Sequence, residues 1–185
     1  MVMMGDSRMY RDLSPQVISG FLPGWRILNF GYSSGGLNPV MFRAAEAKFD
    51  PSSKKKTIIL GVTPHSLTPV ASKNEHYNEK KYKSVDYIYT SIFFPKLDDF
   101  FRPIDINTLF KGKKLPTRLY HQDFHDDGWV ASWTVPEDPQ EALASYRKAF
   151  KSTRVSPDIT RGVMEQTRDW VYRDIIVYAF RPPTS

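Results

Sequence analysis

An α/β domain with helices on both faces of a short parallel sheet is the fold class this sequence predicts, and three observations carry it. Four short apolar runs, residues 2–4, 27–30, 58–62 and 175–180, lack the alternation of a half-exposed strand. Strands covered on both faces have this composition. Four dipeptides, Ser14-Pro15, Asn38-Pro39, Asp138-Pro139 and Ser156-Pro157, pair a side-chain cap with a proline suited to the first helical position. The runs and caps alternate along the chain, which argues for parallel strands joined by helical crossovers.

The elements follow in order. The run at residues 2–4 is broken by Gly5-Asp6-Ser7-Arg8, and Ser14-Pro15 opens a helix. The run at 27–30 leads into Gly31-Tyr32-Ser33-Ser34-Gly35-Gly36, and behind Asn38-Pro39 the residues Val40, Met41, Ala44 and Ala45 form one helical stripe. The third run ends at Thr63-Pro64-His65. Residues 66–135 break the rhythm with many aromatic residues, and a segment of that length needs elements of its own. It reads as a long insertion folded over the strand ends as a lid, partly helical around residues 85–94 and 97–101. Asp138-Pro139 then opens a helix with Leu143, Tyr146 and Phe150 on one face, Glu141 completing an acidic variant of the capping box. Ser156-Pro157 opens another, with Ile159, Val163, Thr167 and Trp170 on one face, before the last strand. The expected architecture is a three-layer α/β/α domain, flavodoxin-like in order, with an insertion after the third strand.

Composition excludes several classes. A chain of 185 residues with 41% hydrophobic and 14% aromatic content reads as one domain over 1–185 with a core of its own. There is no cysteine, so no thiolate nucleophile, disulfide framework or cysteine metal site is available. Net charge is +6, but Lys54-Lys55-Lys56 and Lys111-Gly112-Lys113-Lys114 read as solvated turns, and no nucleic-acid partner is expected. No apolar run approaches the roughly 18 residues of a membrane span, and no signal-type segment opens the sequence. The sequence assigns no location.

In a parallel α/β sheet ligands gather beyond the carboxyl ends of the strands. Ser7, Gly31 and Thr63 all fall just past such ends. A serine hydroxyl becomes a nucleophile when a base reaches it and N–H donors await the oxyanion. Asp6 and Arg8 flank Ser7, either bracing the turn and drawing in an anion or simply fixing a tight connection. His65 lies near the expected site, and His125, within His121-Gln122-Asp123-Phe124-His125-Asp126-Asp127, is a base that the insertion brings if it folds over Ser7. A polar turn that fastens the lid is the alternative reading of that cluster, and a metal site from His121, Asp123 and His125 lacks a fourth ligand. Ser33 to Gly36 also reads as a phosphate cradle, though it matches no nucleotide-binding fingerprint.

Together, Gly5-Asp6-Ser7, the segment from Asn29 to Gly36 and Gly61-Val62-Thr63-Pro64-His65 resemble the blocks of the SGNH hydrolases, the GDSL-type esterase and lipase superfamily, in its membrane-associated and acyltransferase-like branches. The resemblance implies Ser7 as nucleophile, Gly31 as oxyanion donor and Thr63 at the position of an asparagine donor. It implies an esterase or O-acyltransferase acting on an acyl ester or O-acylated substrate such as a carbohydrate, with no cofactor. The family's Asp-x-x-His block has no counterpart before Ser185. The expectation is therefore a chain truncated at its C-terminal end, with an upstream segment also missing, or a non-catalytic module of the same fold.

Overall fold

The computed structural model describes residues 1–84, 119–135, 139–151 and 153–182. The helical segments expected at 85–94 and 97–101, and the Asp138 cap, lie outside the described residues. The four apolar runs form strands β1 (Val2–Gly5), β2 (Leu28–Gly31), β3 (Lys56–Gly61) and β6 (Ile175–Phe180). All pair in parallel in the order β2-β1-β3-β6. Among the described residues the α-helices are α1 (Ser7–Asp12), α2 (Pro15–Phe21), α3 (Pro39–Glu46), α4 (Pro69–Ser72), α5 (Glu75–Lys80), α6 (Pro139–Phe150) and α7 (Pro157–Tyr172). Residues 119–135 add an antiparallel hairpin, β4 (Leu119–Phe124) and β5 (Val130–Val135), which the sequence reading did not resolve.

The caps act as their chemistry requires. Ser14, Asn38 and Ser156 accept from the backbone N–H of Val17, Met41 and Ile159 respectively, each three residues on. Thr68-Pro69 is a further instance, Thr68 Oγ1 accepting from Ala71 N at 3.2 Å. Each satisfies a donor that the first helical turn leaves orphaned.

One face of the sheet carries the main core. Val2, Met4, Phe30, Ile58, Leu60 and Ile175 pack there against Met41, Phe42 and Ala45 of α3 and Val163 and Trp170 of α7. The Phe42 and Trp170 rings meet edge to face at 5.4 Å. Phe42 thus replaces the more exposed Val40 on the buried stripe of α3. Trp170 Nε1 donates to Glu46 Oε1 at 2.6 Å, and Arg173 grips both oxygens of the same carboxylate at 2.8 and 3.1 Å, locking α3 to the end of α7.

The opposite face is built around α1. A Cβ on Gly5 or Gly61 would run into the fully buried Met9, so glycine at the two strand ends makes room for that side chain. The hairpin covers the outer edge of β2: Asn29 N donates to Asp127 O at 2.8 Å, and Trp129 Nε1 donates to Arg11 O at 2.9 Å. The first of these bonds occupies a backbone donor that an edge strand would otherwise leave open. Gly128, with φ +84°, fits because its missing side chain would collide with Asn29 O. Among the described residues no helix is long and apolar enough to cross a membrane.

Candidate functional site

The carboxyl ends of β1, β2 and β3 meet around Asp6. Asp6, 2% exposed, caps α1 by accepting from Arg8 N at 3.1 Å. Its Oδ1 also accepts from Arg8 Nε at 3.3 Å and its Oδ2 from Arg8 Nη2 at 2.8 Å. This fork-on-fork pairing is the strongest way for a guanidinium to hold a carboxylate. From the third strand end, Thr63 Oγ1 donates to Asp6 Oδ2 at 2.5 Å. A buried carboxylate has room for about four donors, and this one has four.

Thr63 is itself clamped. Ser66 Oγ accepts from Thr63 N at 3.0 Å and donates to Thr63 O at 2.9 Å, while Ser66 N donates to Thr63 Oγ1 at 3.1 Å. The loop after β2 joins the same assembly. Leu37 N donates to Ser66 O, Tyr32 N donates to Gly5 O, and Asn74 brackets Gly36 by accepting from its N–H at 2.8 Å and donating to its carbonyl at 3.2 Å. Asn74 adopts φ +49°, a left-handed conformation that asparagine tolerates better than most residues. Tyr32 packs edge-on to Phe30 and Tyr77, and burial and the nearby Tyr77 push its phenol pKa up.

Ser7 is the first residue of α1, half-buried, and among the described residues its hydroxyl makes no hydrogen bond. Gly31 pairs with Gly5 across the sheet, and a Cβ there would sit 2.8 Å from Tyr10 N and 3.1 Å from Asp6 O. Glycine is needed here for close packing alone. Its N–H donates to Asn29 Oδ1 at 3.1 Å. Ser7, Gly31 and Thr63 are thus gathered around one residue, Asp6, yet the Gly31 N–H and the Thr63 hydroxyl are both engaged inside the fold.

The histidines are placed differently. His65 opens the short 3-10 turn His65–Leu67 after β3, its ring edge-on to Phe150 at 6.4 Å. His125 is exposed in the hairpin turn, its ring 4.5 Å from that of Trp129. That turn is fastened at the end of α1 away from Ser7, and no hydrogen bond joins either histidine to Ser7 among the described residues. His121 stacks on Trp133 at 5.4 Å, and the described residues hold no cluster of three potential metal ligands.

Several residues that build the site were not singled out from sequence. Asn29 is the only polar residue of the run at 27–30, and that was its signal. Ser66 follows Thr63 at the three-residue spacing of a side-chain turn. A cavity of about 910 Å³ lies instead at the amino ends of the strands, between Trp25, Arg26, Leu28, Phe49, Asp50 and Lys55. Its Arg26 side chain is 92% exposed, and it lacks the buried polar convergence found around Asp6. In an open parallel sheet ligands gather at the other end, beyond the carboxyl ends of the strands. Comparison with protein-family models, curated proteins and solved structures gave no match in any of the three.

Proposed function

We propose that this chain is a serine hydrolase or O-acyltransferase of the SGNH type, with Ser7 as nucleophile and an acyl ester or O-acylated molecule as substrate. The observation that carries the reading is the position of Ser7: past the carboxyl end of β1, whose neighbours in the sheet are β2 and β3, with a hydroxyl that makes no hydrogen bond among the described residues. The order β2-β1-β3-β6 supports a flavodoxin-like sheet, in which the connections diverge between the first and third strands and ligands bind at their carboxyl ends.

In this reading Ser7 Oγ attacks the ester carbonyl carbon and its proton passes to a base. The tetrahedral intermediate then collapses with departure of the alcohol, which takes that proton back from the base, leaving an acyl group on Ser7 that water or a second alcohol removes. The Ser7 N–H and the Gly31 N–H serve the oxyanion, the latter by turning from Asn29 Oδ1. His65, in the turn after β3, is the candidate for the base, whereas His125 is held in a hairpin turn fastened at the far end of α1.

A second reading, a non-catalytic module of the same fold, is favoured by the engagement of the Gly31 N–H with Asn29 and of the Thr63 hydroxyl with Asp6. A fluorophosphonate probe followed by peptide mass spectrometry separates the two. The enzyme reading expects a phosphonylated Ser7 in the intact protein and none in Ser7→Ala. An intact, folded protein that stays unlabelled at Ser7 supports the non-catalytic reading and removes the enzyme.

A further inference from the structure

We propose that Thr63 is a positioning residue for the reaction at Ser7, acting through the Asp6 carboxylate, and is not a donor to the oxyanion. The inference rests on Ser7 being the nucleophile.

The argument begins with the number of protons available. A threonine hydroxyl has one, and in this structure it lies on Asp6 Oδ2 at 2.5 Å. The lone-pair side of the same oxygen accepts from Ser66 N, and both backbone polar groups of Thr63 are bonded to Ser66 Oγ. Thr63 and Ser66 are 1% and 0% exposed, so no water competes for these bonds. Turning the hydroxyl toward a substrate would leave one lone pair of a buried carboxylate unfilled, which is costly in a dry environment.

The carboxylate so held controls the backbone on either side of Ser7. Asp6 Oδ1 fixes Arg8 N, and Asp6 O accepts from Met9 N at 3.0 Å while lying against Gly31. Ser7 is the residue bracketed between these anchors, and its own N–H, at the first position of α1, takes its direction from them. Thr63 carries the restraint across from β3, so that the first and third strand ends move as one body. Misplacing a reacting group by about 1 Å can cost about a hundredfold in rate, so a partial loss of this restraint is expected to cost about tenfold.

The test measures the rate of fluorophosphonate labelling at Ser7 at 25 °C, with thermal unfolding followed on the same samples. Thr63→Val, which keeps the shape and removes the hydroxyl, is expected to label about tenfold more slowly while folded, and Thr63→Ser to recover most of the rate. A folded Thr63→Val labelled at the wild-type rate overturns the proposal and leaves the nucleophile reading intact. So does a Thr63→Ser as slow as the valine variant, because packing of the methyl would then be the cause. Should Thr63→Val fail to fold, Ser66→Ala removes only the clamp on the Thr63 backbone. It is expected to slow labelling several-fold, and wild-type labelling there overturns the proposal. A folded wild type unlabelled at Ser7 overturns the nucleophile reading and this inference with it.

Discussion

Asn29→Ala is expected to destabilise the protein by about 3 kcal/mol, and the figure follows from three hydrogen bonds. Asn29 is 4% exposed, with Nδ2 donating to Met9 O at 2.7 Å and Leu13 O at 2.8 Å and Oδ1 accepting from Gly31 N at 3.1 Å. The side chain therefore donates to carbonyls at the carboxyl end of α1, those of Met9 and of the C-cap residue Leu13, where a helix leaves acceptors short of donors. A part-buried bond contributes about 1 kcal/mol net, and a buried group left unpaired costs about 1–3 kcal/mol. Met9 O keeps a second donor, Leu13 N, at 3.3 Å, which limits the loss there. Two part-buried bonds and one buried bond then sum to about 3 kcal/mol, or roughly 6–12 °C in the unfolding midpoint for a chain of this size. Urea and thermal unfolding followed by circular dichroism measure it. Asn29→Asp sharpens the test, because a carboxylate would face two carbonyls and its pKa would rise in the folded state. Stability of that variant should be greatest in acid and fall as pH rises through the raised folded pKa. An Asn29→Ala protein within about 0.5 kcal/mol of wild type, the range of an ordinary surface change, would refute the reasoning.

Two further outcomes follow from groups away from Ser7. The hydrogen bonds from Arg173 and then Trp170 hold the Glu46 carboxyl below its usual 4.5. Its contribution is present above that value and lost as pH falls through the lower folded pKa, so the unfolding temperature should drop on acidification and Glu46→Gln should flatten the drop. Thr57 Oγ1 is buried and has no hydrogen-bond partner among the described residues, so Thr57→Val should raise stability by about 1 kcal/mol in urea unfolding. A loss of stability would mean that the hydroxyl finds a partner in solution.

The parallel sheet was legible from sequence because each strand is a short apolar run and three of the four preceding-proline caps begin helices within the described residues. Period and capping are local properties, and residues 2–4, Ser14, Asn38 and Ser156 express them without reference to the rest of the chain. The Gly5-Asp6-Ser7 turn was legible for the same reason. What only the tertiary structure decided is which groups are left available at that turn. Thr63 and Asp6 are 57 positions apart, and nothing local to either says that the hydroxyl proton of one closes the lone-pair shell of the other. The same holds for Gly31, whose N–H is taken by Asn29, and for the hairpin, whose Asp127 carbonyl seals the edge of β2 from almost a hundred residues away. Hydrogen bonds between distant segments depend on burial and direction, which exist only once the layers have packed. The sequence by itself determined the parallel strands, the helix caps and the serine at a strand end, and the packed structure determined how that serine is held.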